Sequence, residues 1–218
     1  MSEREVELRA DGNRLAGTLG MPDTKARGLI IFAHGSGSGR HSPRNRFVAG
    51  SLSQSGFATL LMDLLTADEE RIDNRSGELR FDIGLLSRRM VDATAWARSQ
   101  TELQVLPIGY FGASTGAAAA LVAASQRNDV RAVVSRGGRP DLAGEALASV
   151  AAPVLLIVGS RDPIVLDLNR AAASRLQNSK VTVVPGATHL FEEPGALEEV
   201  TMLAQQWFAA HLPEGGAP

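Results

Sequence analysis

The sequence predicts an α/β fold, with a mainly parallel central sheet, an N-terminal antiparallel hairpin and helices on both faces. Short apolar segments of strand length recur along the chain, as expected for strands buried on both sides of a sheet. Helical patterns fall between them, which is typical of parallel strands joined by right-handed crossovers. The predicted strands cover residues 28–33, 57–62, 105–111, 130–134, 154–158 and 181–184. The predicted helices cover residues 44–54, 81–98, 114–125, 166–176 and 196–211.

The N-terminal segment and the longest polar connection have patterns of their own. Residues 5–9 and 14–19 flank the turn signal Asp11-Gly12 and predict the hairpin. Residues 66–80 are mostly polar, so we expect a solvated loop there, with a flap over the substrate as the second interpretation. The segments that follow the predicted strands are too short to contain a large cap domain.

The length, charge and cysteine content limit the classes of function. For 218 residues with a net charge of −2, we expect a single domain over residues 1–212, a frayed tail at 213–218 and no nucleic-acid partner. No apolar segment reaches the roughly 18 residues of a membrane span, and the charged N-terminus does not resemble a signal peptide. We therefore expect no membrane partner and a cytoplasmic location. The absence of cysteine excludes a Cys nucleophile and Cys-based zinc sites, and the oligomeric state stays open.

A serine stands between the predicted strand 105–111 and the helix that follows it. Ser114 is the central residue of Gly112-Ala113-Ser114-Thr115-Gly116, which is a G-x-S-x-G pattern. Between a strand and a helix, the two glycines allow a sharp turn that lifts the serine hydroxyl above the sheet. The alternative is a serine N-cap beside small residues that allow close packing. The position after a buried strand favours Ser114 as a catalytic nucleophile.

An aspartate and a histidine also follow predicted strands. Asp162 comes after the strand at 154–158, and His189 lies in a Gly-containing loop after the last strand. The carboxylate can orient the imidazole, which can then take the proton of the Ser114 hydroxyl. The chain order Ser, Asp, His is the order expected for a triad on this architecture. The alternatives are a helix cap for Asp162 and a surface loop for His189, and Asp63 is the rival for the acid.

Two backbone N–H groups are needed to stabilise an oxyanion beside such a serine. Thr115 N–H, at the start of a helix, is the first candidate. The second is Ser36 N–H in the glycine-rich loop 34–39, with Gly37 as the neighbour that stays open. This loop fits neither the Walker A motif nor the dinucleotide-binding fingerprint. We expect His34 to brace the loop and to take no part in catalysis.

Basic residues follow two of the predicted strands. The candidates for substrate binding are Arg40, His41, Arg136 and Arg139. In one interpretation these arginines lie at the surface and form salt bridges with Asp63 or Asp141. In the other they hold an anionic substrate, because a guanidinium group binds a carboxylate through two parallel hydrogen bonds.

At these residues the chain resembles the dienelactone-hydrolase-like branch of the α/β-hydrolase superfamily over nearly its whole length. The stretches that carry the resemblance are Phe32-Ala33-His34-Gly35, Gly112-Ala113-Ser114-Thr115-Gly116, Gly159-Ser160-Arg161-Asp162 and Gly186-Ala187-Thr188-His189. Residues 135–141 and 189–195 are similar to a subgroup of small bacterial hydrolase domains, some of which are fused to phosphoribosyltransferase domains. The resemblance implies an α/β-hydrolase fold without a large cap domain.

The resemblance also implies an activity and its residues. Ser114 would be the nucleophile, Asp162 the acid and His189 the base of a carboxylesterase-like serine hydrolase. Such an enzyme cleaves a short-chain or small carboxylic ester through an acyl-enzyme, with no metal or organic cofactor. Dienelactone hydrolases proper use a Cys nucleophile, so the serine here means that the family name does not fix the substrate. A lactonase or amidase with the same triad is one alternative, and a non-catalytic binding or regulatory module is another.

Overall fold

The structure is a computed structural model that describes residues 2–10 and 12–212. The predicted tail at 213–218 and Asp11 of the predicted turn lie outside the described residues. The strands are β1 (Ser2–Ala10), β2 (Asn13–Met21), β3 (Leu29–Ala33), β4 (Ala58–Met62), β5 (Ile108–Ala113), β6 (Val130–Arg136), β7 (Val154–Gly159) and β8 (Ser179–Val184). The α-helices are α1 (Pro43–Gln54), α2 (Ala67–Ser76), α3 (Ile83–Ser99), α4 (Thr115–Ser125), α5 (Pro163–Ala173) and α6 (Ala196–His211).

The described strands form one sheet in the order β1-β2-β4-β3-β5-β6-β7-β8. The hairpin β1–β2 is antiparallel and joins the sheet through an antiparallel pairing of β2 with β4. The strands from β4 to β8 in this order pair in parallel. The predicted fold class is therefore confirmed, with an open sheet whose parallel strands end at a common edge. Ligands bind at that edge in open α/β sheets.

The core has two layers, one on each face of the sheet, because side chains alternate along every strand. Val133 of β6 lies on the face that packs against α3, α4 and α5. Its neighbour Val134 lies on the opposite face, which packs against α1 and α6. The apolar stripe predicted for α3 is buried at Leu86, Met90, Ala93 and Ala97, with Ile83 partly buried against the same core.

The prediction of a solvated loop over residues 66–80 was wrong. The segment contains α2 and a 3₁₀ turn at Leu79–Phe81. A reciprocal capping box starts α2: Thr66 Oγ1 accepts from Glu69 N–H, and the Glu69 carboxylate accepts from Thr66 N–H. Gly77, with a φ of 69°, ends the helix, and its N–H donates to Asp73 O. These caps stabilise a helix that buries only Asp73 among its own side chains.

A buried arginine connects the hairpin, α2 and α3. Arg89 is 1% exposed, and its Nη1 donates to Ala10 O at 2.6 Å. Its Nη2 donates to the Glu69 carboxylate at 2.8 Å. Because a buried arginine needs partners for its charge, these two contacts hold α2 against the body of the protein. Within the described part of the chain, no helix is long and apolar enough to cross a membrane.

Candidate active site

Ser114 lies at the turn between β5 and α4, with backbone angles φ 50° and ψ −123°. A positive φ is uncommon for a residue with a side chain and indicates a turn held by its surroundings. The two glycines of the motif have separate steric reasons. A Cβ at Gly112 would lie 2.4 Å from Ala117 Cα, and a Cβ at Gly116 would lie 2.3 Å from Ala33 O. The motif therefore allows α4 to approach both the turn and the end of β3.

His189 and Asp162 form a direct contact after β8 and β7. His189 Nδ1 lies 2.6 Å from Asp162 Oδ2. Asp162 occupies the N-cap position of α5, but its side chain makes no capping hydrogen bond, so the carboxylate serves the imidazole. The loop that carries His189 is anchored by Phe191, which is 1% exposed in the core. It is also anchored by Arg161 N–H, which donates to Ala187 O at 2.9 Å.

The loop after β6 contacts both the Ser114 backbone and the His189 ring, although no hydrogen bond joins the Ser114 hydroxyl to His189. Ser114 N–H donates to Arg136 O at 3.2 Å, and Ser114 O accepts from Arg139 N–H at 3.0 Å. Between these two residues lies Gly137, where a Cβ would be 3.6 Å from His189 Cε1. The imidazole thus lies over the loop that holds the Ser114 backbone. Its Nε2 makes no hydrogen bond to another described residue and is the nitrogen left to exchange a proton.

The proposed oxyanion donors are linked to each other. Ser36 N–H donates to Thr115 Oγ1 at 2.9 Å, so this amide already has a partner in the structure. Ser36 and Gly37 are both exposed, and Gly37 has a φ of 69°. If Ser36 N–H is to donate to an oxyanion, it must first break its hydrogen bond to Thr115 Oγ1. Gly37 N–H stays the alternative donor.

His34 braces the start of this loop, as expected. Its Nδ1 lies 2.9 Å from Gly35 O, and its Nε2 accepts from Leu64 N–H at 3.0 Å. The Nε2 nitrogen is an acceptor only in the neutral ring. Burial lowers the pKa of His34, which favours this neutral form, although the Gly35 carbonyl and Asp63 act in the opposite direction. His34 thereby joins loop 34–39 to the segment that follows β4.

A small cavity of about 40 Å³ opens beside the loop 34–38 and Thr115. Its lining also includes Asp73, Asn74 and Arg80, which come from α2 and the 3₁₀ turn. Arg80 Nε donates to Asp73 Oδ2 at 2.6 Å. Burial alone would raise the pKa of Asp73, but the hydrogen bonds and charge of Arg80 lower it. Sequence reasoning missed these wall residues, and the capping box was the signal that could have placed them on a helix.

The basic candidates divide into paired and unpaired side chains. Arg40 binds Asp63, whose Oδ1 also accepts from Arg40 N–H at 2.7 Å. Arg139 holds Asp141 with two hydrogen bonds of 2.8 and 2.7 Å. Both arginines therefore agree with the salt-bridge interpretation, and Asp63 is engaged by Arg40 while Asp162 is the partner of His189.

The other two basic candidates make no such pairs. His41 is exposed. Arg136 is 7% exposed and has no salt bridge to a described acid.

The fold and the strained serine turn after β5 define this protein as an α/β hydrolase. The family model for the dienelactone hydrolase family matches residues 15–210. The chain therefore belongs to the dienelactone hydrolase family. A solved structure of dienelactone hydrolase from Anabaena variabilis is 53% identical, with a TM-score of 0.95, and the match covers 97% of this chain and 99% of that one.

Two further comparisons differ in what they show. Proteins from two strains of Mycobacterium tuberculosis, each named "Putative phosphoribosyl transferase", are 58% identical over 214 residues. The match covers 97% of this chain but 47% of theirs, so this chain spans about half the length of these relatives. Est1E from Butyrivibrio proteoclasticus is 18% identical with a TM-score of 0.80, covering 95% of this chain and 98% of that one, which is a likeness of fold.

Proposed function

We propose that this hydrolase cleaves small carboxylic esters through an acyl-enzyme on Ser114. The observation that supports this proposal most is the 2.6 Å contact between His189 Nδ1 and Asp162 Oδ2. The His189 ring also lies against Gly137, in the loop that is hydrogen-bonded to the Ser114 backbone. A carboxylate on Nδ1 fixes the tautomer in which Nε2 is the basic nitrogen. The family, whose members are hydrolases by name, agrees with this chemistry.

In the proposed reaction His189 Nε2 takes the Ser114 proton as Oγ attacks the ester carbonyl carbon. The C=O electron pair moves onto oxygen, where Thr115 N–H and either Ser36 or Gly37 N–H donate to it. Each donor contributes about 3 kcal/mol to the barrier reduction. The tetrahedral intermediate collapses, and the leaving alcohol takes the proton from His189. Water then gives its proton to His189 and attacks the acyl-enzyme, which releases the acid and restores Ser114.

A lactone is the second candidate substrate, favoured by the name of the Anabaena variabilis relative and by the family name. The same residues would act on it, but the leaving alcohol would stay tethered to the acyl group throughout, so that hydrolysis gives a single hydroxy acid. A panel of activated esters, lactones and amides at equal concentration distinguishes these substrates by kcat/KM. We propose that the transferase activity in the relatives' name belongs to the half of those proteins that this chain does not match.

Ser114→Ala tests the nucleophile. We expect it to lower kcat for a short activated ester by about 10³-fold or more and to abolish labelling by a fluorophosphonate probe. Ser174→Ala, at an exposed site after α5, is the matched control and should keep both. Labelling of Ser114→Ala at the native rate would refute the assignment. Absence of labelling in the native chain would favour a non-catalytic binding module.

Asp162→Asn tests the acid against its rival. The amide can hold His189 in the wrong tautomer, so we expect a loss of about 10³ to 10⁴ in kcat. Asp63→Asn should cost far less, because Asp63 is bound by Arg40. A larger loss in Asp63→Asn than in Asp162→Asn would make Asp63 the acid and overturn this part of the proposal.

A further inference from the structure

Arg136, the last residue of β6, is a buried cation that no acid among the described residues compensates. It lies on the sheet face of Ala132 and Val134, which packs against α1 and α6. The residue is 7% exposed, and its Nη1 is fully buried without a hydrogen-bond partner. Burial and the charge of Arg44 lower the pKa of Arg136 to about 10. A guanidinium group in such a place is destabilising unless an anion binds to it.

A second arginine reaches the same place from the start of α1. Arg44 follows Pro43 in the first turn of this helix, and it is the charged neighbour that acts on Arg136. Its Nη1 donates to the Glu192 carboxylate at 2.9 Å, but its Nε is buried without a partner. Two guanidinium groups therefore lie near a helix N-terminus, whose dipole also favours anions although Ser42 already caps the Asn45 N–H.

This arginine pair lies next to the candidate active site. Arg136 O accepts from Ser114 N–H, and the adjacent Gly137 lies against the His189 ring. Glu192, which holds Arg44, follows His189 in the same loop. A group bound by the two arginines would therefore belong to a molecule close to the proposed nucleophile.

We infer that Arg136 and Arg44 form a binding site for a phosphate group beside the catalytic residues. Guanidinium groups from two elements, together with a helix N-terminus, suit a tetrahedral dianion with three acceptor oxygens. The phosphate comes either from a phosphate monoester on the substrate or from free inorganic phosphate. The first source rests on the proposed esterase function, whereas the second does not.

Binding is tested without turnover, by thermal unfolding in inorganic phosphate against sodium chloride of equal ionic strength. Saturating phosphate should raise the Tm of the native chain by about 5 °C, because it binds the folded state alone. The shift should persist in Ser114→Ala and in Arg131→Met, an exposed position of β6. It should vanish in Arg136→Met, whose Tm in chloride should be at least that of the native chain because an uncompensated cation is gone.

Arg44→Met is the second variant and should lose at least half of the phosphate shift, which keeps the test decisive if Arg136→Met does not fold. The proposed site would be refuted if phosphate did not raise the Tm of the native chain more than chloride does. It would also be refuted if both arginine variants kept the full Tm shift. An equal shift with acetate would overturn the choice of phosphate. These outcomes are independent of the Ser114 assignment, since the Ser114→Ala protein serves as well as the native one.

Kinetics then identify the source of the phosphate. If the substrate carries the phosphate, two activated esters that differ only at one end should react differently. The ester that ends in a phosphate monoester should have a kcat/KM at least tenfold higher than the ester that ends in a neutral hydroxyl group. Arg136→Met should abolish that preference, Arg131→Met should keep it, and inorganic phosphate should compete with the phosphorylated ester. If free phosphate is the ligand, the two esters should react equally while the Tm shift remains.

Discussion

Replacing Gly116 by alanine tests the close approach of α4 to the end of β3. The added Cβ would lie 2.3 Å from Ala33 O and 2.4 Å from His34 O, whereas real Cβ contacts are essentially never below 3.0 Å. The helix or the loop must therefore move by at least about 0.7 Å. Both contacts are with backbone atoms, so no side-chain rotation can relieve them.

The magnitude follows from this geometry. Overpacking against a fixed neighbour costs about 1–3 kcal/mol, and two backbone contacts place Gly116→Ala near the upper limit. For a chain of this length we expect the Tm to fall by about 6–12 °C. The shift would also separate Thr115 from the loop that carries Ser36, so kcat for an activated ester should fall about 10²-fold.

Gly50→Ala is the matched control, because Gly50 lies within α1 and a Cβ there meets nothing within 4 Å. Helix propensity alone predicts a gain of about 0.5–1 kcal/mol at this position. Urea unfolding at 25 °C, followed by circular dichroism, measures both variants. If Gly116→Ala keeps the native urea midpoint and kcat while Gly50→Ala behaves as expected, the close approach is not a requirement of the fold.

Two further predictions concern stability. Arg89→Met should lower the free energy of unfolding by about 3 kcal/mol, because Ala10 O and Glu69 lose their donor. The exposed Arg131→Met is the control and should change it by less than about 0.5 kcal/mol. Equal losses for the two variants in a urea titration would contradict this prediction. Burial lowers the pKa of His34 below its ordinary 6.5, so the unfolded chain takes up the proton first and stability falls as the pH drops below 6.5. The free energy of unfolding should fall by about 1.4 kcal/mol per pH unit until the folded ring is protonated. Urea unfolding at a series of pH values measures this slope, and an equally steep fall in His34→Gln would refute the prediction.

Much of the fold was predictable because buried parallel strands need apolar residues on both faces. The segments at 57–62 and 154–158, for example, differ from the observed β4 and β7 by a single residue at one end. The contact of His189 with Asp162 was foreseeable for a related reason, since parallel strands end at one edge and the loops after them meet there. Local pattern and topology together were sufficient for these features.

Other features depend on information that a local pattern does not contain. Helix α2 has a polar sequence without an apolar stripe, so hydrophobic periodicity could not find it, although its caps could. Whether an arginine finds an acid depends on distant parts of the chain: Arg40 pairs with Asp63 across two strand ends, whereas Arg136 pairs with no acid among the described residues. The engagement of Ser36 N–H by Thr115 Oγ1 is likewise a contact across the sheet edge.

The polar attachment of α2 has a consequence for engineering. This helix lines part of the cavity beside loop 34–39, yet Asp73 is its only buried residue and its sequence adds nothing to the apolar core. Exposed positions that line the cavity, such as Glu70 and Asn74, can therefore be randomised, provided that the caps and the anchors Glu69 and Asp73 are kept. A combinatorial library confined to this helix would change the lining of the cavity while the sheet and its core stay unchanged.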